Sequence, residues 1–209
     1  MKRFNNIYIT ALSTTLLLSA CNKQLDLKPH QSIEQSVAIK TEQDVRITLT
    51  GAYNRAGLSD LYGGGAFLYP DLLATQTVIS WHGTYQQLTQ MSNQAIPIDN
   101  SFINATWLDA YEVINQANNV LANLDKVSAG DKDEIEGEAR FLRGMTYFDM
   151  ARLFGRAWND GDPNTNLGVP IILTPTTVIS PESFVTRSTV AQVYQQAITF
   201  VAWLSPFVE

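Results

Sequence analysis

EGEARFLRGMTYFDMARLFG, residues 136–155, decides how this chain folds. Apolar and aromatic side chains fall all round it, interleaved with Glu136, Glu138, Arg140, Arg143, Asp149 and Arg152. At about 100° per residue, Ile135, Ala139, Leu142, Thr146, Met150 and Leu153 share one face of a helix. Gly137, Phe141, Gly144, Phe148 and Ala151 fall nearly opposite. Gly137, Gly144 and Ala151 recur at every seventh position, where small side chains let a neighbouring backbone come close. A glycine inside a helix costs up to about 1 kcal/mol against alanine, so two of them point to a packing reason. Two opposed buried faces require two neighbours, as for a helix inside a stack of helix pairs. The charges fall on the strips between: Glu136, Arg140 and Arg143 with Tyr147 on one, Asp149 and Arg152 on the other. At spacings of three and four they read as surface ion pairs, structural and not catalytic.

The flanking sequence reads as further helices. Thr41 suits an N-cap, with Glu42 and Asp44 in the first turn and Val45, Leu49, Ala52, Tyr53 and Ala56 at helical spacing up to Gly57. Tyr62-Gly63-Gly64-Gly65 reads as a turn or joint; no Gly-Lys-Ser/Thr follows, so it is not a phosphate loop. A less regular helix is expected over about 67–78, and loop over 80–98. A long helix is expected over 101–124, with Trp107, Tyr111, Ile114, Leu121 and Leu124 inward and Asn118 interrupting the stripe. The quoted helix begins near Asp131. After Gly155, residues 156–186 form a long connection punctuated by Gly161, Pro163, Gly168, Pro170 and Pro175, with 169–173 strand-like. A last helix starts at Ser188 or Thr189 and buries Val190, Val193, Tyr194, Ala197, Val201 and Leu204. The chain is therefore all-α for the most part, with long loops and no alternating pattern to support a sheet. Gly144-x3-Phe148-x2-Ala151 echoes the second helix of a tetratricopeptide pair, and Trp107 with Tyr111 and Ile114 the first.

Composition bounds the function. With 45% hydrophobic and 16% charged residues, the 209-residue chain is globular in character. A net charge of −6 gives no electrostatic basis for binding nucleic acid. Cys21 is the only cysteine, which excludes a disulfide framework and a cysteine metal cluster; His30 and His82 are the only imidazoles.

Lys2 and Arg3 precede an uncharged run over 7–18 that is too short to span a bilayer. The run ends in Leu18-Ser19-Ala20-Cys21, which resembles the lipobox of bacterial lipoproteins. That resemblance implies a signal peptide over 1–20, an acylated Cys21 anchored in a membrane, and a tether through residue 40 that carries His30. An ordinary signal peptide with a chance cysteine is the other reading.

The ordered set of motifs resembles the N-terminal half of the SusD/RagB family. It comprises the lipobox, the helix from Thr41, Gly137-Glu138-Ala139-Arg140-Phe141-Leu142-Arg143-Gly144, and Tyr147-Phe148-Asp149-Met150-Ala151-Arg152-Leu153-Phe154-Gly155. Gly168-Val169-Pro170-Ile171-Ile172, Pro175-Thr176 and Arg187-Ser188-Thr189-Val190-Ala191-Gln192-Val193-Tyr194 complete it. The resemblance implies an α-solenoid of tetratricopeptide-like pairs on a lipid-anchored outer-membrane protein. It further implies a non-enzymatic lid that captures glycans, or peptides, for a SusC-like TonB-dependent transporter. Family members are usually more than twice as long, and 199–204 is apolar where the family commonly has Asp-Leu. A helical domain over 41–209, incomplete at its C-terminus with an apolar face at the broken end, is thus expected. Family lipoproteins exported to the surface commonly carry acids just after the cysteine; here Asn22-Lys23-Gln24 come before Asp26.

Sugars stack their apolar faces on aromatic rings while amides and carboxylates take the hydroxyls. Trp81, His82, Tyr85 and Gln86, with Gln87, supply such groups within a polar loop. By region, the resemblance implies that this loop contributes to a glycan site; the other reading is that Trp81 and Tyr85 anchor the loop on the core. Asp160, Asp162 and Asn164 place oxygens at alternate positions as calcium loops do. Thr165 stands where such a loop needs glycine and Ile171 where it needs glutamate, and a plain polar turn is the other reading. No cofactor is implied, and no His-Glu-x-x-His, Gly-x-Ser-x-Gly or nucleotide loop is present. A protein-interaction scaffold at the outer membrane and a lipid-anchored glycoside hydrolase are the competing functions.

Overall fold

The computed structural model describes residues 39–74, 79–177 and 181–202. The leader, Cys21, His30, Val78 and Leu204 lie outside the described residues. The helices are α1 (Glu42–Ala56), α2 (Gly65–Leu73), α3 (Gln86–Ser92), α4 (Ser101–Leu121), α5 (Lys132–Phe154) and α6 (Val190–Ala202). Single turns of 3-10 helix occur at Leu124–Lys126 and Pro181–Ser183. Among the described residues the one ladder contact is an isolated antiparallel bridge between Leu167 and Thr189. No described helix is long and apolar enough to cross a membrane.

The caps explain where the helices start. Thr41 Oγ1 accepts from the Asp44 amide at 3.3 Å, while Asp44 Oδ2 accepts from the Thr41 amide at 2.9 Å, closing a capping box on α1. Asn100 Oδ1 accepts from the amides of Phe102 and Ile103 and starts α4. Thr189 and Gln192 form the same reciprocal pair at α6, so Thr189 is its N-cap. Between α1 and α2 the chain turns tightly. Gly63 and Gly65 donate to the carbonyls of Leu58 and Ser59, and a Cβ on Gly65 would lie 2.6 Å from the Asp60 carbonyl oxygen. The glycines make a fixed turn because backbone fills the space a side chain would need.

Consecutive packing builds the core: α1 lies on α4, α4 on α5, and α5 on α6, with α5 also reaching α1. Val45, Leu49, Val113, Ile114, Ile135, Leu142, Met150, Val193 and Phe200 fill the interior. Each such buried side chain contributes roughly 1.5–3 kcal/mol. A smaller cluster of Tyr69, Leu72, Leu88 and Met91 joins α2 to α3.

Several expectations are corrected. Residues 80–98 are not all loop, because Leu88 and Met91, three apart, bury against α2 and draw Gln86–Ser92 into a helix. Helix α2 ends at Leu73, and α4 at Leu121, leaving Leu124 in the 3-10 turn. The 169–173 stretch is extended but pairs with no described strand; helix side chains hold it instead. On α6 the buried face includes Phe200, which the periodicity reading omitted.

The two neighbours expected for α5 are present as α4 and α6; the face of Ile135, Ala139, Leu142, Thr146 and Met150 is buried as expected, while the opposite face keeps Gly137, Gly144 and Ala151 but takes in Arg143 and Tyr147 in place of the two phenylalanines. Phe141 and Phe148 are 40% and 43% exposed, whereas Arg143 and Tyr147 are buried. The cause is tertiary. Helix α6 lays Phe200 over the Arg143 guanidinium, 4.0 Å from the ring centroid, and the 170–174 segment covers Tyr147. The other charges behave as surface pairs: Arg140 with Glu136 at 2.6 Å and Arg152 with Asp149 at 2.9 Å.

Candidate functional site

The short loop entering α3 gathers the predicted ligand residues. Met91 and Leu88 fix α3 on the small core, and Asn100 Nδ2 donates to the Gln87 carbonyl and to Gln90 Oε1, tying α3 to α4. Trp81 packs its ring on that core and donates its Nε1–H to Thr89 Oγ1 at 3.0 Å; Thr89 in turn donates to the Tyr85 carbonyl. A Cβ on Gly83 would run into the Trp81 indole, so the loop closes tightly on the ring. The Trp81 ring is therefore half-buried and braced, with its N–H already used. His82, Tyr85 and Gln86 are exposed, Tyr85 at 62%, with the Tyr85 ring 6.2 Å from Phe102. Gln87 turns away to donate to Ser101 Oγ. The structure thus brings Trp81, Tyr85 and Gln86 to the first turn of α3: one braced ring, one open ring and a free-standing amide. Such a surface suits stacking plus hydroxyl contacts.

A buried polar network lies elsewhere, and sequence reasoning missed it. Tyr111 donates to the Pro170 carbonyl at 2.8 Å. Asn118 Nδ2 donates to the carbonyls of Ile172 and Thr174, while its Oδ1 accepts from Arg143 Nη1 at 2.6 Å. Tyr147 donates to the Ile172 carbonyl at 3.1 Å and accepts the Ile172 amide at 2.7 Å. Asn115 Oδ1 accepts the Thr176 amide. An extended chain, left without strand partners, has its backbone groups satisfied by α4 and α5. Burial pushes the Tyr147 phenol up to about 12 and, with the nearby Arg140 charge adding, pulls Arg143 down to about 10. Burial likewise pushes the Tyr111 phenol up. These shifts mark a structural network, since its hydroxyls and amides are occupied by backbone. The signal in the sequence was Asn118, a polar residue in an apolar stripe.

Asp160, Asp162 and Asn164 lie in one exposed turn. Asp162 Oδ1 accepts both the amide and the side-chain N–H of Asn164 at 2.9 Å, and the former holds its carboxyl below the usual value. Asn166 donates to the Asp160 carbonyl, and Gly161 takes a positive φ of 79°. Asp162 Oδ1 is thus taken up by Asn164 and the Asp160 carboxylate lies 3.9 Å from Arg156, and among the described residues no group of three His, Cys, Asp or Glu is arranged to hold a metal.

A family model described as starch-binding and associating with the outer membrane matches residues 23–205. A SusD-like protein of Formosa agariphila is 27% identical over 195 residues, covering 92% of this chain and 36% of that protein. The crystal structure of a SusD superfamily protein from Bacteroides thetaiotaomicron superposes with a TM-score of 0.68 at 30% identity, over 79% of this chain and 37% of that one. The structure of a SusD-like carbohydrate binding protein from Bacteroides vulgatus does so with a TM-score of 0.68 at 26% identity, over 82% and 36%. The chain thus spans little more than a third of these relatives' length.

Proposed function

The chain belongs to the SusD-like family, and from that membership we propose that it captures glycans, or other nutrient oligomers, for import through a SusC-like TonB-dependent transporter. The observation that carries this reading is the family match over 23–205, supported by a shared helical fold with a carbohydrate-binding relative. In this reading the protein binds and does not cleave. A sugar ring stacks on Tyr85 and on the free part of the Trp81 ring, and its hydroxyls meet Gln86 and His82. Because Thr89 already accepts the Trp81 N–H, Trp81 offers its ring and not its donor. The acylated Cys21 anchors the chain to the outer membrane, with the helical domain reached through the tether over 22–40.

The partnership is tested by purifying the tagged chain in mild detergent from a host that also produces its co-encoded TonB-dependent transporter. The expected result is a complex of the two. A folded chain that leaves the transporter behind contradicts the proposal. The ligand surface is tested by Tyr85→Ala with Trp81→Ala, expected together to weaken retention on a polysaccharide at least about tenfold. Unchanged retention removes this loop from the binding surface.

A further inference from the structure

Beyond the α3 loop, a second cleft of about 670 Å³ opens between the outer face of α6 and the turn over 156–166. Its size falls within the range of small-ligand sites. Every described side chain lining it is uncharged, although the chain as a whole carries a net charge of −6. Trp158 forms one wall, and Gln192, Gln195, Gln196 and Thr199 of α6 form the other, with Asn164 at the rim. Among the described residues the side-chain amides of Gln195 and Gln196 have no hydrogen-bond partner, which leaves two donors and an acceptor on each.

Trp158 is 55% exposed, yet it is not loose. Its ring meets Tyr194 edge to face at 5.5 Å, and Tyr194 meets Phe148 in the same way at 5.7 Å. The Arg152 guanidinium lies over Phe148 at 5.4 Å. The turn is fastened to α6 by backbone bonds from Val190 to Asn166 and from Ala191 to Pro163. Arg187 adds bonds to the Phe154, Leu167 and Gly168 carbonyls. A large ring left open to water but braced at its edge, opposite the amides of Gln195 and Gln196, is a preorganised contact surface.

We infer that this cleft is a second saccharide-contact site, with Trp158 as the stacking platform and Gln195 and Gln196 as the hydroxyl-binding amides. The inference rests on the glycan-capture reading above. The chemistry selects the ligand class. Without a charged group the cleft suits neither a phosphate, a carboxylate nor a metal ion. Among the described residues no strand lines it, so an extended peptide finds no ladder to join. Paired amides that both donate and accept match vicinal hydroxyls, and a ring matches the apolar face of a sugar.

The test is affinity electrophoresis of the full chain through gels holding amylopectin, laminarin or xylan. Wild type runs beside Trp158→Ala, Trp158→Phe, Q195A/Q196A and Trp81→Ala. In the gel that retards the wild type, Trp158→Ala should bind about tenfold more weakly and Q195A/Q196A about three- to tenfold more weakly. Trp158→Phe should fall between Trp158→Ala and the wild type, with circular dichroism matching throughout. If Trp158→Ala misfolds, Q195A/Q196A carries the test, since it alters groups without partners. Wild type retarded, with Trp158→Ala and Q195A/Q196A retarded equally, overturns this site while leaving glycan capture standing. Wild type unretarded in every gel overturns both. Binding of the uncharged peptide Gly-Ser-Gln-Ser-Gly that Trp158→Ala abolishes, with no polysaccharide response, overturns the saccharide assignment.

Discussion

Asn118→Ala probes the network that the quoted helix shares with α4. The side chain is buried and makes three contacts: it accepts from Arg143 Nη1 at 2.6 Å and donates to the Ile172 and Thr174 carbonyls at 3.0 and 3.2 Å. A hydrogen bond to a charged group is worth about 1.5–3 kcal/mol and a neutral one about 0.5–1.5. The two donated bonds share one amide, so they count for little more than a single strong one. The expected loss is about 2–5 kcal/mol, weighted upward because Arg143 Nε already has no partner. Removing Asn118 leaves the guanidinium against the Phe200 ring with its best acceptor gone. For a domain of this size the melting temperature shifts by about 2–4 °C per kcal/mol, so a fall of roughly 4–20 °C is expected by calorimetry. The double-mutant cycle sharpens this. In an Arg143→Met background the charge is absent, and Asn118→Ala should cost about 1–2 kcal/mol, giving a coupling of about 1–3 kcal/mol. Equal losses in both backgrounds, or a fall below about 3 °C, would refute the network.

Other consequences follow from the same structure. Tyr147→Phe removes the hydroxyl that bonds both backbone groups of Ile172 and should cost about 1–2 kcal/mol, with faster hydrogen exchange at the Ile172 amide. Gly65→Ala puts a Cβ 2.6 Å from the Asp60 oxygen and the Tyr69 ring, and should cost about 1–3 kcal/mol by urea unfolding. Alkaline pH should destabilise the fold. The Tyr147 phenol is raised to about 12, so its contribution is complete below the ordinary tyrosine value near 10 and is lost as pH rises toward 12. Tyr53, Tyr62 and Tyr111 are raised as well and act in the same direction, with burial the largest cause for each. Arg143, lowered to about 10, acts oppositely above that pH, and a single group does not offset the tyrosines. A melting temperature that rises between pH 10 and 11 would contradict this sign.

The helices were legible where local chemistry agreed with packing. Thr41, with Glu42 and Asp44 in the first turn, announced α1; the start of α6 was narrowed to Ser188 or Thr189, and only the reciprocal bonds with Gln192 place the cap at Thr189. The small residues Gly137, Gly144 and Ala151 are buried as their spacing suggested. The partners of Arg143 were not legible, because Asn118 lies 25 residues away and Phe200 on another helix; an arginine in a charged-looking strip gives no local hint of burial. Helix α3 was hidden for a related reason. Its sequence is polar, and two apolar residues three apart declare a face only once α2 is beside them. At the candidate site, residue types were readable but roles were not. Trp81 stands on the core with its N–H in use, while Trp158, in the unremarkable segment after α5, is the more exposed ring.

Capture without cleavage is tested by incubating the purified chain with amylopectin, laminarin and xylan. Retained polysaccharide and new reducing ends are both measured. Retention of at least one of these neutral polysaccharides with no rise in reducing ends is the expected result. A rise in reducing ends that tracks the protein through purification, or no retention of any of them, would contradict it.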